Sequence, residues 1–288
     1  MTQTSQRTFQ RKTQHRAYID GPYGQVHVRS AGEGGVPLLL LHQSPLSGAM
    51  FAAAMEPLAA AGVHAAAMDT PGYGASDPPP QPVSVEDYAS SVLAVLDGLG
   101  WDRAAILGHH TGAAIAAAFA NTYPDRLGAL ILNGVPLLSE EERAFFAKFD
   151  FKPLQIEDDG SHLAAAWTQR LAASPGWTDR AAMHRYVVEM LANPDRYHWG
   201  FEAAFAYDLE GSLAGIHCPA LILTNTGEDL YEASRRAHTL CKHFDFAELS
   251  GGTHDIVDEQ PEAWARLVSD WLLAHDTGEA SIKECTQA

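Results

Sequence analysis

Cysteine is scarce: Cys218, Cys241 and Cys285 are the only three, far apart and without a C-x-x-C pair. That excludes a disulfide scaffold and fits reduced thiols in a cytoplasmic protein. Basic residues are few as well. Nineteen Lys and Arg against 36 Asp and Glu leave a formal charge of −17, which opposes binding to nucleic acid or to an anionic membrane surface. No apolar run approaches the roughly 20 residues that span a bilayer. The first fifteen residues are polar and carry no apolar stretch of the secretory type. Internal repeats are missing, and no ligand-spacing motif marks a metal site.

What is present describes an ordinary globule. The 288 residues are 46% hydrophobic and 19% charged, which suits one α/β domain carrying an insertion. Short apolar runs alternate with helical patterns, as in a mainly parallel sheet covered on both faces. The expected strands are Gln25–Arg29, Pro37–Leu41, His64–Met68, Ala104–Leu107, Ala129–Leu132, Ala220–Leu223 and Phe244–Leu249. A capping box at Ser84-Val85-Glu86-Asp87 opens a helix whose apolar face is Val85, Tyr88, Val92, Leu96 and Leu99. A last helix starts at Pro261 and buries Trp264, Leu267, Val268, Trp271 and Leu272.

Between about Pro136 and Ile216 the strand rhythm stops. Short helices rich in aromatic residues, Phe145 to Tyr207 and including Phe149, are cut by turns at Ser174-Pro175-Gly176 and Asn193-Pro194-Asp195. This segment, 136–216, reads as a helical cap over the carboxyl edge of a core formed by 17–135 and 217–275. Residues 1–16 and 276–288 read as polar tails.

The chemistry concentrates at Gly108-His109-His110-Thr111-Gly112, between the apolar run Ala104–Leu107 and the alanine-rich stretch Ala113–Ala120. Strand, sharp turn and helix give the G-x-S-x-G nucleophile elbow its meaning. A Cβ at either glycine would strike the neighbouring strand or helix. The residue thrown above the sheet edge is His110, where a serine would stand.

Four further segments occur in matching order: His42-Gln43-Ser44-Pro45, Asp69-Thr70-Pro71-Gly72-Tyr73-Gly74-Ala75-Ser76-Asp77, Thr224-Asn225-Thr226-Gly227-Glu228-Asp229 and Ser250-Gly251-Gly252-Thr253-His254-Asp255. Together with the elbow they resemble the capped, single-domain α/β-hydrolase fold family from about Ala17 to His275. The resemblance implies an oxyanion loop at His42–Pro45, with backbone donors at Ser44 and Thr111. Such donors are worth about 10²–10³ in rate each. Gln43 stands where the family usually has glycine. The resemblance further implies a triad acid at Asp229, with Glu228 as the alternative, and a catalytic histidine at His254. His109 is expected to point away from the site as a packing residue. The Asp69–Asp77 stretch is expected to turn the chain beneath the site without taking part in chemistry.

Three chemistries are open to a histidine at the elbow. It can be a nucleophile forming an acyl-imidazole. It can be a general base for hydrolysis, carbon–carbon cleavage, or a lyase or decarboxylase reaction. Alternatively, the site is degenerate and binds a small molecule without turnover. Two adjacent imidazolium ions repel, so Asp229 is expected to favour charge on His254 and leave His110 neutral. Ser44 is the alternative source of a reactive hydroxyl. The expected enzyme is cofactor-free, acts on a small apolar or aromatic carbonyl compound, and works as a monomer or homodimer.

Overall fold

Eight strands form one sheet in the order β1-β2-β4-β3-β5-β6-β7-β8. The computed structural model describes residues 14–146 and 152–275. In chain order the elements are β1 (Gln14–Gly21), β2 (Gly24–Ala31), β3 (Val36–Leu41), α1 (Ala52–Ala60), β4 (Val63–Met68), α2 (Val85–Gly98), β5 (Ala104–His109), α3 (Thr111–Thr122) and β6 (Leu127–Asn133). Then follow α4 (Glu140–Phe146), α5 (Ser161–Ala173), α6 (Arg180–Ala192), α7 (Trp199–Ala206), α8 (Leu209–Ala214), β7 (Ala220–Asn225), α9 (Tyr231–Leu240), β8 (Asp245–Leu249), α10 (Ile256–Glu259) and α11 (Pro261–His275). The first two pairings, β1 with β2 and β2 with β4, are antiparallel, and all the others are parallel.

The apolar runs read as strands because both of their faces are covered. In β3, Leu39 and Leu41 pack with α2 and α3, while Leu38 and Leu40 pack with α1 and α11. The same alternation recurs at Leu130 and Ile131 of β6 and at Ile222 and Leu223 of β7. A strand enclosed on two sides needs apolar residues at every position, and this removes the period-two signal. The capping box of α2 forms as expected: the Asp87 amide donates to Ser84 Oγ at 3.2 Å and the Ser84 amide to Asp87 Oδ2 at 3.0 Å. Helix α11 buries Trp264, Val268 and Leu272.

One expectation is corrected. Gln14–Arg16, placed in an N-terminal tail ending at 16, open β1, an edge strand with no buried residue. Its solvent-facing side chains leave no hydrophobic alternation to read. The rest of that tail, residues 276–288, Phe149 and Cys285 lie outside the described residues.

Parallel strands send their carboxyl ends to one edge, so the loops after β3, β5, β6, β7 and β8 emerge together. Helices α4–α8 form an insert between β6 and β7. Part of its seat is ionic: Arg185 of α6 pairs with Asp258 of α10 and lies 3.7 Å from Glu189. Burial pushes the Glu189 carboxyl up to about 7 and Asp258 up to about 6, with Arg185 opposing both. Both folded values lie above the ordinary carboxylate range, so the folded state holds these protons more tightly than the unfolded one. Their stabilising effect is complete below about pH 4 and is lost as pH rises through 6 to 7. Thermal melts should fall between pH 5 and pH 8. Glu189→Gln should shrink that fall by about 3 kcal/mol, the equivalent of its shift from 4.5 to about 7. An unchanged slope in Glu189→Gln would rule out this origin.

Candidate active site

His110 stands at the apex between β5 and α3 with φ 50° and ψ −108°. Among the described residues it is the only non-glycine with positive φ, and such a conformation costs about 1–3 kcal/mol. The surroundings enforce it. The His110 amide donates to Asn133 O at 2.9 Å, and its carbonyl accepts from the Ala113 amide at 2.8 Å. A Cβ on Gly108 would lie 2.0 Å from Gly112 O, and one on Gly112 would lie 2.2 Å from Leu41 O. The steric reading of the two glycines therefore holds, with backbone on both sides.

Glu228 reaches the elbow from the loop after β7. Its buried carboxylate accepts from His110 Nε2 at 2.8 Å, and its other oxygen accepts from the Thr224 hydroxyl. Burial alone would raise the Glu228 carboxyl, but the His110 contact and the Thr224 hydroxyl bring it below its ordinary value. An ionised carboxylate has no proton to give, so Nε2 of His110 carries the hydrogen of this contact and Nδ1 is the nitrogen left for other chemistry. Gly134, with φ 64°, makes the approach sterically open: a Cβ there would stand 2.5 Å from His110 Nε2 and 2.8 Å from Glu228 Oε2. A glycine directly after a buried strand was the available clue in the sequence.

His109 departs from expectation. It is fully buried, as a packing residue would be, yet its ring stacks on His110 at 4.4 Å with planes 5° apart. Its Nε2–H donates to the backbone carbonyl of His254 at 3.0 Å. Burial, then the neighbouring His110, pushes the His109 ring down to about 3. In this stacked pair the His109 ring is therefore the neutral one, whereas the repulsion expected from the sequence concerned His110 and His254. The His110 and His254 rings are 6.4 Å apart.

His254 lies on the loop after β8, and its surroundings include a residue the sequence did not flag. Arg170 of α5 places Nη1 2.6 Å from His254 Nε2. The same guanidinium is ion-paired with Asp255, donates to Ser174 Oγ at 3.0 Å, and stacks 4.0 Å from the Tyr186 ring centre. Arg170 and Asp255 are both buried. Asp255 Oδ2 is 3.3 Å from His254 Nε2, while Asp229 Oδ2 is 3.6 Å from Nδ1. The contact with His254, outweighing burial, holds the Asp229 carboxyl below its usual range. The two candidate acids are thus divided between the two histidines. Glu228 pairs with His110, whereas the largely exposed Asp229 faces His254. Asp229 therefore does not serve both histidines, because His110 has a carboxylate of its own.

The loop at His42–Pro45 is also more specialised than expected. The Ser44 amide donates to Thr111 Oγ1 at 3.4 Å, so the Thr111 hydroxyl turns toward the loop. The Thr111 amide is in the first turn of α3, where N–H groups lack intrahelical partners. The Ser44 hydroxyl lies against Tyr73 and Gly200, where it lowers the Tyr73 phenol against the larger effect of burial. The hydroxyl that the sequence offered as the alternative reacting group is thus engaged with Tyr73. Gln43 is buried, with its side-chain amide 3.5 Å from His254 O. His42, a candidate for substrate contact, is instead consumed by structure. Its Nδ1–H donates to Gln43 O at 2.9 Å and its Nε2 accepts from the Thr70 amide at 2.8 Å. Asp69 accepts from the Gly48 and Ala75 amides, in keeping with an architectural role. Among the described residues no three His, Cys, Asp or Glu side chains are grouped to hold a metal ion. No helix among them is long and apolar enough to cross a membrane.

Residues 36–260 match the family profile described as alpha/beta hydrolase fold. A 2-hydroxy-6-oxononadienedioate/2-hydroxy-6-oxononatrienedioate hydrolase from Burkholderia vietnamiensis is 40% identical over 226 residues, covering 71% of this chain and 75% of that protein. A protein of the same description from Pseudomonas putida, hydrolase 2, is 42% identical over 114 residues, covering 38% of this chain and 40% of that relative's length. Among solved structures, an epoxide hydrolase from an endophytic Streptomyces superposes with TM-score 0.77 at 23% identity, covering 92% of this chain and 96% of its own. The enol-lactonase from Burkholderia xenovorans LB400 superposes with TM-score 0.72 at 21% identity, covering 89% of this chain and 100% of its own. At these identities the structural likeness shows the fold alone. With a profile spanning most of the chain and a relative aligned over 75% of its length, the chain belongs to the α/β-hydrolase fold family.

Proposed function

We propose that the chain is a cofactor-free hydrolase in which His110, backed by Glu228, acts as a general base on a small apolar or aromatic carbonyl compound. The observation that carries this reading is the 2.8 Å contact between His110 Nε2 and the buried Glu228 carboxylate. A triad hydrolase uses its acid to orient the histidine that deprotonates serine. Here a carboxylate orients the elbow histidine itself, and a base and its positioning partner stand where a nucleophile would be.

The reaction follows from that arrangement. Nδ1 of His110 takes a proton from water, and the resulting hydroxide adds to the carbonyl carbon. The Glu228 carboxylate stabilises the imidazolium, and the Thr111 amide at the start of α3 is the donor offered to the developing oxyanion, the Ser44 amide being turned to Thr111 Oγ1. Collapse of the tetrahedral adduct breaks the bond to the leaving group. That group recovers the proton from Nδ1, so the enzyme returns to its starting state. The names of the relatives describe hydrolases of 2-hydroxy-6-oxo dienoic and trienoic diacids. This supports a carbon–carbon bond beside a carbonyl, or an ester or lactone, as the bond to be cleaved. The segment 136–216 serves as the cap.

Rapid-quench mass spectrometry with p-nitrophenyl acetate and with a 2-hydroxy-6-oxo dienoate separates base from nucleophile. The expected result is turnover with no acyl adduct on His110. An acylated His110 peptide that forms and decays with turnover would overturn the base reading. Serine-directed phosphonates should leave activity unchanged.

A further inference from the structure

We propose that Arg170 is a positioning residue that holds His254 as the neutral, Nδ1-protonated tautomer, so that His254 can accept a proton only when α5 withdraws. This rests on His254 belonging to the site described above. A guanidinium carries only N–H donors and keeps its charge, so a ring nitrogen 2.6 Å from Arg170 Nη1 must be an acceptor. The imidazole proton is thereby assigned to Nδ1, on the side of Asp229 at 3.6 Å.

The hold is built from several directions. Arg170 is itself buried, fixed by the Asp255 ion pair, by Ser174 Oγ and by the Tyr186 face, with Trp177 5.5 Å away. The His254 backbone carbonyl is held by His109 Nε2 at 3.0 Å and by the Gln43 amide at 3.5 Å, which anchors this residue to the sheet side and not to α5. The charged and titratable groups around the ring are Asp229, Asp255, Arg170 and, farther off, His110. Asp255 Oδ2 already lies 3.3 Å from Nε2. Take Arg170 away and the nearest partner of Nε2 becomes a carboxylate, which accepts rather than donates. The proton assignment must then reverse, or the ring must take up a second proton. Arg170 sits on the insert and His254 on the sheet edge, so the seating of the insert sets the histidine's proton state.

The test reads the ring directly. Long-range ¹H–¹⁵N correlation of the ¹⁵N-labelled full chain at neutral pH, assigned with His254→Asn, should show Nε2 of His254 as an unprotonated imine-type nitrogen. In Arg170→Met that imine-type resonance should be lost and replaced by a protonated one. Arg170→Met leaves Asp255 buried and unpaired, which destabilises strongly. The double variant Arg170→Met/Asp255→Asn removes that charge, and there the expected result is a resonance averaged between the two tautomers. A folded variant of either kind that retains the wild-type Nε2 signature overturns the proposal. The measurement needs no substrate, so its failure is distinct from a failure of the hydrolase reading, which is judged by turnover of His110 variants.

Discussion

Turnover falls about 10²–10⁴-fold in His110→Ala, the range for removing a positioned general base, and Glu228→Gln falls into the same range. The glutamine is isosteric, but it removes the charge that stabilises imidazolium, and its amide can present a donor to Nε2. A donor there pushes the proton to Nδ1 and abolishes the lone pair on which the reaction depends. Loss of the tautomer-setting acid is severe in triad enzymes for the same reason. The pH dependence has a definite sign. Contact with His110 depresses the Glu228 carboxyl against the effect of burial, so the carboxylate that backs the base stays ionised down through the ordinary carboxylate range and is lost only in stronger acid. Steady-state kcat/KM for wild type, His110→Ala, Glu228→Gln and Asp229→Asn is the check. A full loss in Asp229→Asn with little change in Glu228→Gln would show that the acid serves His254 and that the His110 pair is incidental.

Gly134→Ala produces the second large effect, and it separates the site from the fold. The new methyl would stand 2.3 Å from His110 Cδ2 and 2.8 Å from Glu228 Oε2 at a residue with φ 64°. The atoms in its way belong to side chains, so they can yield. The imidazole and carboxylate are forced apart, and activity falls by about the factor seen for removing the base. Stability drops by only about 1–2 kcal/mol, the penalty for an L-residue in the left-handed region. Gly112→Ala is the contrast, because its methyl would meet the carbonyl of Leu41 in a central strand at 2.2 Å. Backbone in a packed sheet cannot yield, so that variant should lose cooperative folding. Circular-dichroism melts beside activity assays distinguish the two. A Gly134→Ala protein with wild-type activity would mean that the His110–Glu228 contact is dispensable.

Much of the fold was legible because it depends on local rules. The buried strands appear as unbroken apolar runs, the cap of α2 as Ser84 with Asp87, and the elbow as two glycines around His110. Strand β1 was not legible, since Gln14–Gly21 lies at an edge and buries no residue. The acid was legible only as a pair. Glu228 and Asp229 are neighbours in the chain, and nothing local says which one turns inward. Burial decides: the Glu228 side chain is 0% exposed and Asp229 66%. His42 was misread because its motif marks a loop. Both of its ring nitrogens are satisfied by backbone groups, one of them 28 positions away.

By itself, the order of residues determined the sheet, the tight turn at its edge and the presence of histidine in place of a hydroxyl, because periodicity and glycine sterics act over a few positions. Tertiary structure decided which carboxylate meets which imidazole, and that Arg170 comes to His254. Those choices depend on side chains 84 to 118 positions apart meeting within hydrogen-bond distance. Desolvation and pairing operate on distance in space, and a linear pattern does not carry that distance.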